Sequence, residues 1–561
     1  MNREKEKYLF EESPVMRAIF ALAFPSVMGQ IMLVIYNMAD TFFVGLTGSD
    51  VMVTAVTVCM PAFMFLSAIS NLFGVGGASV ISRMLGAGRR EEARRASSFA
   101  VWGCAAVTLL YSLLAFLLMD VFVDLLGGSA SQVHENAVRY LFVTVVCGGV
   151  CTSMSTLLSH LIRAEGRSMQ ASFGIILGGL LNIALDPLFM FVLLEPGNEP
   201  LGAALATALS NAGALLYFAV LWARHRRGMV LSVRPCRAMF GQRIPRDVIS
   251  IGIPACLMTL CENISYAVLD NLMSAYGTAA QAGVGVAKKV NMLAHCTVRG
   301  MAQGVLPLIG YNYQSGNRRR MHRVVRTSAF ISVVLSTLCM VAALLFAHQL
   351  IALFIPAGSA SHEMGVIFLR IMCIGAPFSA WAYTVISFFQ ATGHMGRSLL
   401  LALMRKGILD IPMMYLFDAL RPLEGVVCAT PAADILCCLA AAVLYATFIR
   451  SAVKRQVPAT ATAPSATAAK GKVPAASAEA EGLSAAIHAA LTSGSGEKRV
   501  ILCRENTPAT EAKSKTALFT DKNGPAERGE TRRVDAEVPV RPLEAVPAAQ
   551  AKIPFDTRRP G

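Results

Sequence analysis

VMRAIFALAFPSVMGQIMLVIYNMADTFFVG, residues 15–45, carries one base, Arg17, and one acid, Asp40, in a run that is otherwise apolar or weakly polar. A bilayer core about 30 Å thick is crossed by roughly 20 apolar helical residues, so this stretch reads as a membrane span. Eleven more of the same kind follow, at about 51–84, 98–124, 132–162, 169–194, 201–224, 246–276, 279–311, 325–355, 361–392, 397–420 and 424–450. The pattern predicts an all-α membrane protein of twelve transmembrane helices. Pro25, Pro61, Pro187, Pro254, Pro307, Pro377 and Pro412 lie inside these spans, where neighbouring groups can satisfy the carbonyls that a proline frees.

Composition agrees. The 561 residues are 55% hydrophobic and 15% charged, with a mean hydropathy of +0.55, against about 25% charged residues in a soluble domain. A net charge of +15 would suit nucleic acid if it formed one patch. Here the bases sit in short clusters between apolar runs, the pattern of membrane-protein loops, so no nucleic-acid partner is expected. The clusters fall in alternate loops: Arg89, Arg90, Arg94 and Arg95; Arg163 and Arg167; seven arginines from Arg224 to Arg246; Arg318, Arg319, Arg320 and Arg323; and Arg397. The loops between them, near Leu46–Asp50, Leu125–Ser131, Glu195–Leu201, Tyr276–Gln281 and Phe354–Met364, have no Lys or Arg. The positive-inside rule then places both termini in the cytoplasm of a multi-pass plasma-membrane protein.

The fourteen cysteines show no zinc spacing and read as small membrane-core residues. The start MNREKEKYLFEESPVMR is charged rather than like a signal peptide, so the first span is expected to be kept. No Gly-Lys-Ser/Thr loop cradles a phosphate, and no histidine pairs with a catalytic acid or metal cluster at a membrane face. An ATP-driven pump and a membrane-embedded enzyme are both disfavoured.

The chain repeats at roughly 228 residues, a period suited to two matched transporter bundles. Pro25 and Asp40 are echoed by Pro254 and Asp270, LGAGRREEARR by YQSGNRRRMHR, IRAEGRSMQ by FQATGHMGR, and LDP (185–187) by LDIP (409–412). The domains are then a cytoplasmic N-terminus (1–14), an N-lobe of six helices (15–224), a basic linker (225–245), a C-lobe of six helices (246–450) and a cytoplasmic tail (451–561). The tail, rich in Ala, Pro, Thr, Ser, Lys and Glu, is expected to be largely disordered, with a marginal helix at GLSAAIHAALTSG.

NMADTFFVG (37–45), SRMLGAG (82–88), RAEGRS (163–168), LNIALDPLFMF (181–191), GAALAT (202–207) and AQGVLPLIGYNYQSGN (302–317) occur in that order, each on the expected helix or loop. Together they resemble the multidrug and toxic compound extrusion family, in its DinF-like branch, over about 15–450. The resemblance implies two six-helix lobes around a central cleft and alternating access. It also implies export of small organic compounds in exchange for Na+ or H+, with no cofactor. A monomer is expected. The alternative within the same superfamily is a flippase of lipid-linked oligosaccharides.

An ionisable group inside a span is costly and by default functional. Asp40, Asp186 and Thr207 fall at comparable depth in the outer half of the N-lobe, about 8–12 Å from the helix ends at 1.5 Å per residue. Asn37 and Asn182 share the helix faces of the two carboxylates. These oxygens suit a hard cation such as Na+, and the carboxylates alone suit protons; plain interhelical hydrogen bonding is the other reading. The resemblance implies the cation site at Asp40, Asn182, Asp186 and Thr207, and a bend of the first helix at Pro25.

In the C-lobe, Lys288, Asn291, His295 and Arg299 form one stripe, with Glu262, Asp270 and Asp410 as available opposite charges. Two readings stand side by side: an ion-pair network that locks the lobe, or a polar wall of the substrate cavity that admits anionic or zwitterionic compounds. Arg83, Arg163 and Arg405 are expected to be snorkelling anchors at helix ends.

Overall fold

A computed structural model of the chain describes residues 3–125, 131–235, 237–241, 243–454, 499–501 and 518–520. Twelve helical segments follow in order, and four run unbroken in the N-lobe: α1 (Val15–Gly45), α2 (Asp50–Gly86), α3 (Arg90–Leu117) and α6 (Glu199–His225). Between them α4 is built from Ser131–Leu141, a π-turn Phe142–Cys147 and Gly149–Ala164, and α5 from Ser168–Pro187 and a π-turn Leu188–Leu193. The C-lobe holds α7 (Ile244–Ser274), α8 (Thr278–Gln314), α9 (Arg318–Leu345), α10 (Ala360–Cys373 and Ala376–Ala391), α11 (Met395–Leu403, a π-turn Met404–Ile408, Asp410–Leu420) and α12 (Glu424–Lys454).

Eight of these helices are long and apolar enough to cross a membrane as they stand, and α4 and α10 do so as pairs bent by 48° and 44°. The α10 bend falls just ahead of Pro377, whose ring cannot continue the preceding helical ladder. The α4 bend, at Gly148 after a π-turn, had no proline to announce it. α8 and α11 are the remaining two. α8 carries Lys288, Lys289 and Arg299, and α11, divided by its π-turn, carries Arg405, Lys406 and Asp410. α1 runs as one helix through Pro25, and α12 contains a further proline, Pro431.

Within each lobe the bundle closes on small residues. Leu109, Leu110, Leu113 and Leu117 of α3 and Phe330, Leu338 and Leu345 of α9 stay exposed, as lipid-facing side chains do. The lobes meet where α1 crosses α8 and α2 crosses α7. The closest approaches are at glycines in the helix halves nearest the basic loops, because small residues let backbones meet without a side chain between them. A Cβ on Gly252 (α7) would lie 1.8 Å from the Leu72 carbonyl oxygen, on Gly76 (α2) 2.1 Å from the Val248 carbonyl oxygen, and on Gly304 (α8) 2.4 Å from the Ala23 Cα. A Cβ on Gly45 (α1) or Gly285 (α8), at the other end, would have no atom within 4 Å. The cleft is therefore pinched at the basic end.

Gly252→Ala is expected to prise that end open. Overpacking costs about 1–3 kcal/mol, enough to shift the populations of two arrangements several-fold or more. Spin labels on the basic ends of α2 and α7 should report a longer distance in the variant, and an unchanged distance distribution would refute the role given to this contact.

Residues 459–561 form a separate unit, in which Arg499–Ile501 pairs antiparallel with Leu518–Thr520, Val500 opposite Phe519. Neither strand was expected from the tail's composition. The expected disorder and the expected helix at GLSAAIHAALTSG lie outside the described residues.

Candidate functional site

Asn182 and Asp186 stand one turn apart on α5, immediately before Pro187 and the π-turn that ends the regular helix. A widened turn of this kind frees backbone geometry next to a functional group. The Asn182 amide nitrogen donates to Asp186 Oδ1 at 3.2 Å and to Thr207 Oγ1 of α6 at 3.4 Å. Asp40 of α1 is buried beside them, near enough to Asp186 for the two charges to interact. Gly179, one turn below Asn182, makes the approach of α1 possible: a Cβ there would strike Met32 at 2.9 Å and Tyr36 at 3.3 Å.

The decisive feature is what these groups lack. Asp40 Oδ1, Asn182 Oδ1 and Asp186 Oδ2 are buried with no hydrogen-bond donor. Leaving buried acceptors unsatisfied costs about 1–3 kcal/mol each, more when charged. Three on neighbouring side chains form an oxygen set suited to a hard cation or to protons. The Asn37 amide nitrogen donates back to the Leu33 carbonyl of its own helix at 2.6 Å, which leaves only its Oδ1 to join the set.

The C-lobe stripe is almost wholly paired. Lys288 Nζ reaches both Asp270 oxygens at 2.6 Å, and Arg299 Nη2 reaches both Glu262 oxygens at 2.8 and 2.6 Å. His295 Nδ1 meets Ser379 Oγ at 3.3 Å, while Asn291 Oδ1 has no partner. Asp410 does not face the stripe as expected. It takes Lys406 Nζ at 2.8 Å and the Ser265 hydroxyl at 2.6 Å on one oxygen.

Arg405 overturns a second expectation. It is 1% exposed, with Nε on Asp434 Oδ1 at 3.0 Å, Nη1 on the Tyr383 hydroxyl at 2.9 Å and its guanidinium 4.3 Å from the Tyr383 ring centre. The π-turn Met404–Ile408 is the reason, because its wider turn directs two consecutive bases, Arg405 and Lys406, into the lobe. Arg163 does not snorkel either. Arg163 is 2% exposed and donates to Gln303 of the opposite lobe at 3.3 Å, and the Arg83 guanidinium lies against Gly393. Lys289, on the α8 surface next to Lys288, is turned toward the N-lobe and within electrostatic reach of Asp40.

Several contacts hold the pinched end. Gln30 of α1 donates to Gln303 at 3.4 Å, and Ser79 donates to the Gln390 carbonyl at 2.6 Å. The N-terminal segment bridges both lobes: Glu6 pairs with Arg90 at 3.0 Å, and Phe10 stacks on Tyr311 with ring centres 4.7 Å apart. Arg320 and Asn312 donate to the Phe10 carbonyl at 2.8 and 3.1 Å.

The interlobe linker is docked just as firmly, through Glu165 in the α4–α5 connection, which accepts the Leu231 N–H at 2.5 Å and lies 3.9 Å from Arg167. Burial pushes the Glu165 carboxyl up to about 7, against the pull of the Val230 and Leu231 N–H groups and of Arg167. The folded protein therefore holds a proton that the unfolded chain releases near 4.5. The contribution of this group is full below that pH and is lost as pH rises through about 7. Hydrogen exchange at residues 229–234, corrected for intrinsic rates, should quicken from about pH 5.5 to 8 in the wild type and stay slow in Glu165→Gln. The same pH response in both proteins would count against Glu165.

Comparison with known proteins matches the MatE family model to residues 25–188 and 254–416, one match in each half. The multidrug export protein MepA of Staphylococcus aureus (strain MRSA252) is 30% identical over 441 residues, covering 78% of this chain and 95% of MepA. A crystal structure of a MATE protein in complex with MaL6 is similar over 80% of this chain and 99% of its own, at 24% identity and a TM-score of 0.73. An outward-facing multidrug resistance MATE family transporter of the MOP superfamily gives 0.73 at 23% identity, over 81% of this chain and all of its own.

Proposed function

Because the chain belongs to the multidrug and toxic compound extrusion (MatE) family of membrane transporters, we propose that it exports small organic compounds from the cytoplasm in exchange for Na+ or H+. It works as a monomer in the plasma membrane with both termini inside. The observation that carries the coupling is the set of donor-less oxygens on Asp40, Asn182 and Asp186. Each accepts the ion from the outer side, Asn182 holding Asp186 and Thr207 in register through its amide.

The pinched basic end, read with the positive-inside rule, makes this an outward-facing arrangement. Ion loading of the N-lobe favours release of the contacts at Gln303, Gly252 and Gly304, and substrate entering from the cytoplasm favours their return. One charge moved through about 100 mV supplies roughly 2.3 kcal/mol, which is about a 50-fold accumulation ratio.

Cargo charge follows from the pairing. Asp270 and Glu262 neutralise Lys288 and Arg299, and Asp40 lies within electrostatic reach of Lys289, so the stripe offers little surplus positive field to an anion. That favours the drug-like substrates named for MepA over anionic lipid-linked sugars. The test is transport in proteoliposomes with sodium and pH gradients imposed one at a time. Export indifferent to both gradients would end the antiport reading.

A further inference from the structure

At the end of the C-lobe away from the basic loops, α9 gives way to a short helix, Ala347–Ala352, and α10 begins at Ala360. This turn brings together His348, His362 and Glu363. One ligand-capable atom of each lies within 4.8 Å of the others. His362 is buried at 3% exposure, and the other two are open to solvent.

The tautomer of His362 is set by its neighbour. Its Nε2 faces the His348 backbone carbonyl oxygen at 3.2 Å. A carbonyl can only accept, so Nε2 carries the proton, and in the neutral ring Nδ1 presents a bare lone pair. That Nδ1 has no hydrogen-bond partner, and the Glu363 Oε1 stands 3.5 Å away. A buried lone pair facing a solvent-exposed carboxylate oxygen leaves a place for a positive centre between them. A ring held by Nε2–H on a backbone carbonyl, with Nδ1 free, is also how proteins orient a metal-binding histidine.

We propose that His348, His362 and Glu363 form a binding site for a transition-metal dication of the zinc type, separate from the coupling-ion oxygens of the N-lobe. Two imidazoles and one carboxylate match zinc with water in the fourth position. Calcium and magnesium prefer all-oxygen sets. Around a tetrahedral ion with bonds of about 2.1 Å the ligand atoms sit about 3.4 Å apart. The exposed His348 and Glu363 side chains can close that gap by changing rotamer.

Occupancy ties the end of α9 to the start of α10. α10 in turn bears directly on α8, where a Cβ on Gly283 would lie 2.9 Å from the Gly365 nitrogen. The ion thus braces the end of the helix that carries Lys288 and Arg299.

The experiment uses purified full-length protein. Zn2+ is titrated against a chromophoric chelator, and Co2+ serves as a spectroscopic probe, in wild type, His348→Gln and Glu363→Gln. Both substitutions are at exposed side chains, so folding is preserved, and Tm without metal checks it. Expected are one zinc per chain bound at least about tenfold more weakly in each variant, a zinc-dependent rise in Tm confined to wild type, and cobalt absorption without a thiolate band. Equal zinc titrations in the three proteins would overturn the site in favour of a protonated His362 paired with Glu363. Cobalt bound through thiolate, and unaffected by either substitution, would overturn it in favour of the cysteines.

Discussion

Asp186→Asn and Asp40→Asn are each expected to uncouple export from the ion gradient. In Asp186→Asn an amide next to Asn182 replaces one of the three donor-less oxygens, and one negative charge leaves the set. In Asp40→Asn the second charge is lost from α1, across from α5. Coupling free energies of about 1–3 kcal/mol correspond to 5- to 150-fold changes in linked binding. Loss of a whole charge from a site of low dielectric belongs at the upper end of that range. Gradient-driven accumulation should collapse toward passive equilibration in both variants, while substrate binding to detergent-solubilised protein persists. Export that still follows the gradient in both would show that the coupling ion is held elsewhere, with Glu262 the next group to test.

Asp434→Asn has the largest expected effect on stability. The substitution leaves Arg405, 1% exposed, with the Tyr383 hydroxyl and ring but no carboxylate bonded to it, Glu262 within electrostatic reach being already engaged by Arg299. Removing one partner of a buried pair costs about 3–5 kcal/mol, whereas replacing both by apolar side chains of similar volume is often neutral. The single variant should show a clearly lower Tm and poor yield. The double variant Arg405→Met with Asp434→Leu should recover most of the loss. Arg405→Lys should not, because an ammonium cannot both stack on Tyr383 and reach Asp434 with fixed geometry. Equal melting of Asp434→Asn and wild type would mean that Glu262 and the Tyr383 hydroxyl satisfy Arg405 without it.

The N-lobe polar cluster was legible in the chain because its residues announce themselves: a carboxylate in an apolar run has few bland explanations, and Asn182 and Asp186 share a helix face at a spacing of four. The C-lobe network was half legible. Glu262, Asp270, Lys288 and Arg299 could be identified as charges in spans, but their partners could not, since Asp434 and Tyr383 reach Arg405 only across three helices. Arg405 was misplaced for a local reason: periodicity assumes a regular helix, and a π-turn rotates every side chain beyond it. What the Asn37 amide nitrogen does, donating to the Leu33 carbonyl of its own helix, was not legible in the spacing.

What the sequence by itself determined is therefore the solvent, the number of spans, the two-fold repeat and the family, all of which follow from apolar run length, loop charge and motif order. The tertiary structure alone decided which charges pair, where the lobes touch and which acceptors are left without donors. Those depend on how far one backbone can approach another, at Gly179, Gly252 and Gly304, and on side chains that meet after hundreds of residues of separation. The span that opened the reading shows both: its composition marked Asp40 as costly, and only the packing of α5 and α6 against it placed that carboxylate among acceptors left without donors.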